Sequence, residues 1–130
     1  MAHENPSDAE LTELLTTAST IAMVGASSHP EKSSHAVIRK LQSAGYKVIP
    51  INPRETAVLG ERAYPSLADV AEPIDIVDVF RRAEDTPSIA DEAVTIGARA
   101  LWLHEGISSE EAAARARAGG LTVVMNKCIG

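Results

Sequence analysis

The sequence predicts an α/β protein: a single Rossmann-like domain with about five parallel strands and helices on both faces. Short apolar runs that suit buried strands alternate along the chain with segments of helical periodicity. The alternation recurs at about the 30-residue length of a strand–helix–strand unit. It continues through the 130 residues without a linker-like interruption, and a chain of this length is typical of one domain.

The chain is predicted to begin with a flexible tail, residues 1–7, and to fold as one domain over residues 8–130. The domain opens with a helix over DAELTELLTTAS, with Asp8 as the predicted N-cap. The next strand is TIAMV, an apolar run that suits burial on both faces. A helix capped by Ser33 or Ser34 follows and ends at Gly45, before a second strand, KVIPI.

The second half of the chain continues the alternation. The segment NPRETAVLGERAYPS is predicted to be a loop with a short strand near Ala63. Three more strands are predicted over IDIVDV, ALWL and LTVVM. Thr86 with Pro87 opens the helix between the first two of these strands, and a capping box of Ser108 and Glu111 opens the helix between the last two.

Composition and charge argue against several classes of partner. The net charge is −6 at pH 7, so the sequence predicts neither a nucleic-acid partner nor binding to a membrane surface. No apolar run reaches the roughly 20 residues of a membrane span, and no secretory leader is recognised. The single cysteine, Cys128, excludes an internal disulfide and favours a cytoplasmic location. Its side chain is predicted to be a small buried hydrophobe.

No residue is predicted to be catalytic, and no metal site is predicted. The four histidines lack the spacing of metal ligands, and His29 and His35 are predicted to be polar surface residues. Asp78 is interpreted as a strand residue that at most orients a loop. Glu105 is interpreted as an acceptor for a ligand hydroxyl or a backbone N–H rather than as an acid or base.

Candidate binding residues lie at the carboxyl ends of four strands, where parallel sheets bind their ligands. They are Gly25, Ala26, Ser27, Ser28, Lys32 and Ser33; Asn52, Pro53 and Arg54; Val79, Phe80 and Arg81; and His104, Glu105 and Gly106. Three of these four groups carry fixed positive charge although the chain is acidic. That placement favours a small polyanionic ligand.

The turn after the first strand is typical of phosphate binding, but not of the usual dinucleotide. Gly25 permits close approach of the backbone, and the helix that begins near Ser33 presents free N–H groups and the positive end of its dipole. GASSHP lacks the G-x-G-x-x-G pattern, and Arg54 stands where a NAD site has an acidic residue. Arg54 favours a ribose that carries its own phosphate, as in NADP or coenzyme A.

Five segments occur in a recognisable order: IAMVGAS, GYKVIPINPR, VDVFRR, LWLHEGI and GLTVVMNKCI. Together they resemble the small stand-alone CoA-binding proteins, which are similar to the N-terminal CoA-binding domain of the succinyl-CoA synthetase α subunit. The resemblance covers nearly the whole chain, from about Asp8 to Ile129. It implies that the ligand is coenzyme A or an acyl-CoA.

The resemblance also implies roles for individual residues. Gly25 and Ser27 match positions against the phosphates, and Pro53 and Arg54 match the segment that grips the adenosine end. The residues that match the path of the cofactor are Val79, Phe80 and Arg81. The residues that match the T-E-G or Q-x-G motif are His104, Glu105 and Gly106, of which His104 departs from both patterns.

The resemblance implies binding without turnover, because the phosphorylated histidine of the synthetase belongs to a second domain that the matching segments do not include. Two other functions stay open on the residues themselves. One is an NADP-linked oxidoreductase, and the other is a protein-interaction module with a vestigial nucleotide pocket.

Overall fold

The computed structural model describes residues 3–129, so residues 1 and 2 of the predicted tail and Gly130 lie outside the described residues. The described strands are β1 (Thr20–Val24), β2 (Lys47–Ile51), β3 (Ala57–Val58), β4 (Glu61–Arg62), β5 (Ile76–Val79), β6 (Ala100–Leu103) and β7 (Thr122–Val124). Five of them form a parallel sheet in the order β2-β1-β5-β6-β7. The fold class predicted from the sequence is therefore confirmed.

Helices cover both faces of this sheet. They are α1 (Asp8–Thr17), α2 (Ser33–Ser43), α3 (Thr86–Thr95) and α4 (Glu110–Ala118). Buried side chains of α1 and α2 join one core cluster, and those of α3 and α4 join the other. We call the two faces the α1–α2 face and the α3–α4 face. Because side chains alternate along a strand, successive residues of β5 enter opposite clusters.

The segment between β2 and β5 holds a small irregular unit. β3 and β4 pair antiparallel, and Tyr64 forms an isolated bridge with Ile51 at the end of β2. The short strand predicted near Ala63 is displaced slightly toward the N-terminus and belongs to this hairpin. β2 is an edge strand of the main sheet, which accommodates Pro50 because an edge tolerates a missing N–H.

The predicted helix caps are wrong, although each lies within two residues of the residue that occupies the position. The N-cap residues are Ser7, Lys32, Asp85 and Ser109. The predicted residues were Asp8, Ser33 or Ser34, Thr86 and Ser108. At α1, Glu10 reaches back to the Ser7 N–H while Ser7 accepts from the Glu10 N–H, so a reciprocal pair of bonds sets the start one residue earlier.

The described part of the predicted tail touches the domain. Asn5 Nδ2 donates to the Met125 carbonyl at 2.9 Å, and Asn5 Oδ1 accepts the Met125 N–H at 2.9 Å. The flexibility predicted for residues 1–7 stays a prediction. None of the helices described between residues 3 and 129 is both long and apolar enough to cross a membrane.

Candidate functional site at the carboxyl edge of the sheet

The order of the strands opens a crevice beside β1. Chain connections leave β1 toward β2 on one side and, after β2, return to β5 on the other side. Counted along the main sheet, the strands run 2-1-3-4-5, an order in which ligands bind where the connections diverge, at the carboxyl ends of the first and third strands. Gly25 follows β1 at that point, and Phe80 follows β5.

Gly25 is required by the sheet itself. Its φ is +92°, and a Cβ at this position would lie 2.7 Å from the Phe80 carbonyl oxygen and 3.1 Å from the Phe80 carbonyl carbon. The Gly25 N–H also donates to the Ile51 carbonyl at 2.9 Å. One glycine is therefore enough here, because its main structural role is to let the chain after β1 approach the chain after β5 closely.

We expect Gly25→Ala to destabilise the protein by more than Gly45→Ala. Gly45 has a similar φ of +97°, but a Cβ there would meet none of the described residues within 4 Å, so it isolates the cost of the backbone conformation. That cost is about 1–2 kcal/mol. Gly25→Ala adds the collision with Phe80, for a total of about 3 kcal/mol or more. Urea unfolding of both variants measures the difference. Equal destabilisation would show that the Phe80 main chain moves away from the new methyl group at little cost.

One cavity lies beside Gly25 and Phe80, at the start of α2. We call it the α2-side cavity; its volume is about 320 Å³. It is lined by Gly25, Ser27, Lys32, Ser33, Ser34, Asn52 and Phe80. Among the described residues no side chain caps the N-terminus of α2, so the dipole of this 11-residue helix points its positive end into the region without an internal partner.

Two side chains from the loop after β2 hold the turn that follows β1. Asn52 Nδ2 donates to the Ala26 carbonyl at 2.8 Å. The Glu55 carboxylate accepts the Ser28 N–H at 2.7 Å and the Ser28 hydroxyl at 2.9 Å. These bonds hold the pKa of Glu55 below its ordinary value, the Ser28 N–H being the largest cause. Glu55 was not predictable from the sequence, because nothing near it in the chain marks it as a partner of the turn.

A second cavity lies at the same edge of the sheet, beside α3. We call it the α3-side cavity; its volume is about 260 Å³. Its lining combines apolar side chains with serine hydroxyl groups and three charged groups. The lining residues are Val24, Ile51, Pro53, Pro65, Ser66, Leu67, Arg81, Asp85, Ser88, Ile89 and Glu92. Asn52 lines one cavity and Pro53 lines the other, so the two cavities approach each other at consecutive residues.

The three predicted cations are distributed around these cavities. Lys32 lines the α2-side cavity, and Arg81 lines the α3-side cavity, where it lies 3.6 Å from the Asp85 carboxylate. Arg54 is exposed and lines neither cavity. Its main-chain N–H donates to Asn52 Oδ1 at 2.9 Å, which fixes the turn that carries it. One fixed positive charge therefore lines each cavity, and in the α3-side cavity it is accompanied by the carboxylates of Asp85 and Glu92.

His104 and the turn after β6 complete the edge. The His104 ring stacks on the Phe80 ring with 4.0 Å between centroids. The pKa of His104 is below its ordinary value, mainly because of burial. Glu105 and Gly106 are exposed on a turn that Asn126 fastens, since Asn126 Oδ1 accepts the Gly106 N–H at 2.7 Å.

The sequence matches the family model described as a CoA binding domain over residues 19–130. The chain belongs to the CoA binding domain family. This family is the one that the sequence analysis predicted. A Bacillus subtilis protein described as uncharacterized protein YneT is 43% identical over 126 residues, which cover 97% of this chain and 93% of that protein.

Solved structures agree with this assignment to the CoA binding domain family. A hypothetical protein from Pyrococcus horikoshii OT3 has a TM-score of 0.92 and 34% identity, covering 99% of this chain and 94% of that one. The dinucleotide forming acetyl-coenzyme A synthetase 1 of Ca. Korarchaeum cryptofilum has a TM-score of 0.73 and 30% identity, covering 83% of this chain. This domain corresponds to 26% of the synthetase chain.

In this CoA binding domain, the structure gathers most of the predicted site residues at one edge of the sheet. Two of them have side chains turned into the cores rather than toward a cavity: Ala26 is fully buried on the α1–α2 face, and Val79 on the α3–α4 face. Ser28 lies outside both cavity linings, with its hydroxyl on Glu55.

Two predictions about side-chain burial in this CoA binding domain are wrong. Cys128 is exposed rather than buried. His35 is buried rather than exposed, because the first turn of α2 packs closely over the sheet. Among residues 3–129, no three acidic, histidine or cysteine side chains are grouped in a way that would hold a metal ion.

Asp78 is the polar residue whose surroundings the sequence analysis misjudged most. It is fully buried in β5, and neither carboxyl oxygen has a hydrogen-bond partner among the described residues. Burial raises the pKa of Asp78 to about 8, and the neighbouring Val79 N–H opposes part of the increase. The carboxyl group is therefore neutral near pH 7.

Proposed function

We propose that this protein binds coenzyme A or an acyl-CoA across the carboxyl edge of the sheet, without turnover of its own. The observation that carries the proposal is the pair of cavities that approach each other at Asn52 and Pro53, one beside the α2 N-terminus and one beside α3. An extended ligand with a charged middle and a base at one end suits this arrangement. Membership of the CoA binding domain family supports the choice of ligand.

The α2-side cavity is suited to the pyrophosphate. The uncapped start of α2 offers main-chain N–H groups, Ser27 and Ser33 offer hydroxyl donors, and Lys32 adds a fixed charge. The turn that forms the cavity is held in place by Asn52 and Glu55 before any ligand arrives. A preformed turn lowers the ordering cost of binding.

The α3-side cavity is suited to the adenine base. Leu67, Ile89 and two prolines supply apolar walls, and Ser66 and Ser88 supply hydroxyl groups for hydrogen bonding. Ligand sites of this kind are mostly apolar with a few directional polar groups. Arg54 lies next to Pro53, where it is available to the ribose phosphate.

Binding without turnover is proposed on the likeness to a synthetase of which this chain matches only a part. The acetyl-coenzyme A synthetase that resembles this chain is about four times as long as the part that matches, which leaves room there for machinery outside this domain.

We expect Lys32→Ala to weaken coenzyme A binding by about five- to tenfold, because the variant loses a charge-assisted contact with the pyrophosphate. Lys40→Ala is the matched control, since Lys40 is an exposed lysine of the same helix that lines neither cavity. Isothermal titration of both variants measures the effect. Equal affinities would contradict the assignment of the pyrophosphate to the α2-side cavity.

A further inference from the structure

Asp78 is a buried polar group to which the described part of the fold offers no partner. The side chain has no exposed area, and both carboxyl oxygens lack a hydrogen bond within residues 3–129. Buried polar groups in folded proteins are nearly always paired, so an unpaired carboxyl group calls for a specific explanation. The position of Asp78 in the sheet supplies one.

Asp78 lies close behind the wall of the α2-side cavity. Its neighbours across the sheet are Met23 on β1 and Trp102 on β6, both packed on the α1–α2 face. Phe80 is two residues further along the chain, toward the same face, and lines the α2-side cavity. At about 3.3 Å per residue, the Asp78 backbone is roughly 6.6 Å behind that of Phe80.

His104, which follows the neighbouring strand β6, presents a second unpaired polar atom beside Phe80. Its ring stacks on Phe80 at 4.0 Å, and its Nδ1 atom is buried without a hydrogen-bond partner among the described residues. Because Asp78 pairs with Trp102 in the register, His104 follows two residues later on the neighbouring strand, diagonal to Asp78 and beside Phe80. Two unpaired polar groups therefore flank one aromatic side chain.

We propose that Asp78 and His104 form a buried polar subsite behind the Phe80 ring, and that this subsite takes the hydrogen-bonding groups of the pantetheine arm of bound coenzyme A. This inference rests on the proposed function. The pantetheine arm is the uncharged part of the ligand and carries two amides and a terminal thiol or thioester. Its amide groups have both a donor and an acceptor, which match a carboxylic acid and an imidazole.

The electrostatics of the subsite favour an uncharged group over a phosphate. Burial keeps Asp78 protonated near pH 7, because its pKa is about 8, so the carboxyl group offers one O–H donor and one acceptor. Burial also lowers the pKa of His104, which favours the neutral imidazole. A neutral, dehydrated subsite strengthens hydrogen bonds with amides and penalises the burial of a charge.

Asp78 is fully buried and the Phe80 and His104 rings are stacked, so entry of the arm requires side chains at this place to shift. Trp102 is the protein's one tryptophan and is adjacent to Asp78 across the sheet. It is only 1% exposed, so its fluorescence reports on the interior beside Asp78 rather than on solvent contact at the rim. A ligand that stops at the phosphate turn leaves this environment unchanged.

The test compares coenzyme A with adenosine 3′,5′-bisphosphate, which lacks the pantetheine arm. We expect Asp78→Val and His104→Phe each to weaken coenzyme A binding by about tenfold and to leave bisphosphate binding unchanged. Asp78→Asn keeps both hydrogen-bonding functions and is expected to stay within about threefold of the wild type. Coenzyme A, but not the bisphosphate, is expected to change the Trp102 emission.

The outcomes separate the inference from the proposed function. If neither ligand binds the wild-type protein, the proposed function fails and the inference fails with it. If both ligands bind and neither variant discriminates between them, the inference alone is overturned. His104→Phe preserves the stack on Phe80, so it tests the inference independently of any change in stability that Asp78→Val causes.

Discussion

The Asp78→Asn variant is expected to lose a pH dependence of stability that the wild-type protein has between about pH 5 and pH 8. The pKa of Asp78 is raised to about 8 by burial, whereas an aspartate in the unfolded chain titrates near 3.9. Between these values the folded protein holds a proton that the unfolded chain has released. The stabilising contribution of this proton is complete below the unfolded pKa and declines until the pH passes the folded pKa.

The free energy of unfolding is expected to decrease by about 1.4 kcal/mol for each unit by which the pH rises in this window. Urea unfolding of the wild type and Asp78→Asn at several pH values measures it. The two proteins differ only at position 78, so the difference between the two curves isolates Asp78. Curves that stay parallel across the window would show that the buried carboxyl group does not titrate as argued.

Asp78→Val is expected to be more stable than the wild type by about 1–3 kcal/mol near pH 7, because an apolar side chain removes a buried group that has no partner among the described residues. The isosteric Asp78→Asn variant controls for volume. A stability gain combined with weaker coenzyme A binding would mark Asp78 as a residue that serves the ligand at the expense of the fold.

Arg54→Ala is expected to weaken coenzyme A binding by about ten- to a hundredfold. An arginine that pairs with a phosphate through two N–H groups contributes about 1.5–3 kcal/mol. Arg54 is exposed on a turn that the Asn52 side chain fixes, and it adjoins Pro53 in the α3-side cavity. It is therefore placed to reach a phosphate on the ribose without first losing an internal ion pair among the described residues.

The clearer result of this change is in selectivity. The wild type is expected to prefer coenzyme A to dephospho-CoA, which lacks the ribose phosphate, and Arg54→Ala is expected to lose most of that preference. Arg117→Ala, an exposed arginine of α4 that lines neither cavity, is the control. Equal loss of affinity for both ligands would mean that Arg54 shapes the loop and does not contact the phosphate.

The sheet and one side of the candidate site were predictable because local patterns determine them. Apolar runs of strand length identify β1, β2, β5, β6 and β7, and a parallel sheet brings the residues after their carboxyl ends to one edge. The α2-side cavity follows from this placement, since six of its seven lining residues were candidates from the sequence. Ser34 is the exception.

The α3-side cavity and the surroundings of Asp78 were not predictable in the same way. Pro65, Leu67 and Ile89 meet only when the segment before β5 packs against α3, and no short pattern records that contact. Asp78 differs from an ordinary strand residue only in what covers it. The tertiary neighbours around it, which include Met23 and Trp102 on the adjacent strands, decide whether its carboxyl group finds a partner.

The most direct test of the central claim is a calorimetric titration of the wild-type protein with coenzyme A, dephospho-CoA, NADP and NAD in one buffer. We expect coenzyme A to bind most tightly, dephospho-CoA to bind about ten- to a hundredfold more weakly, and both nicotinamide dinucleotides to bind more weakly than coenzyme A. Tighter binding of NADP than of coenzyme A, or no binding of coenzyme A at all, would contradict the account.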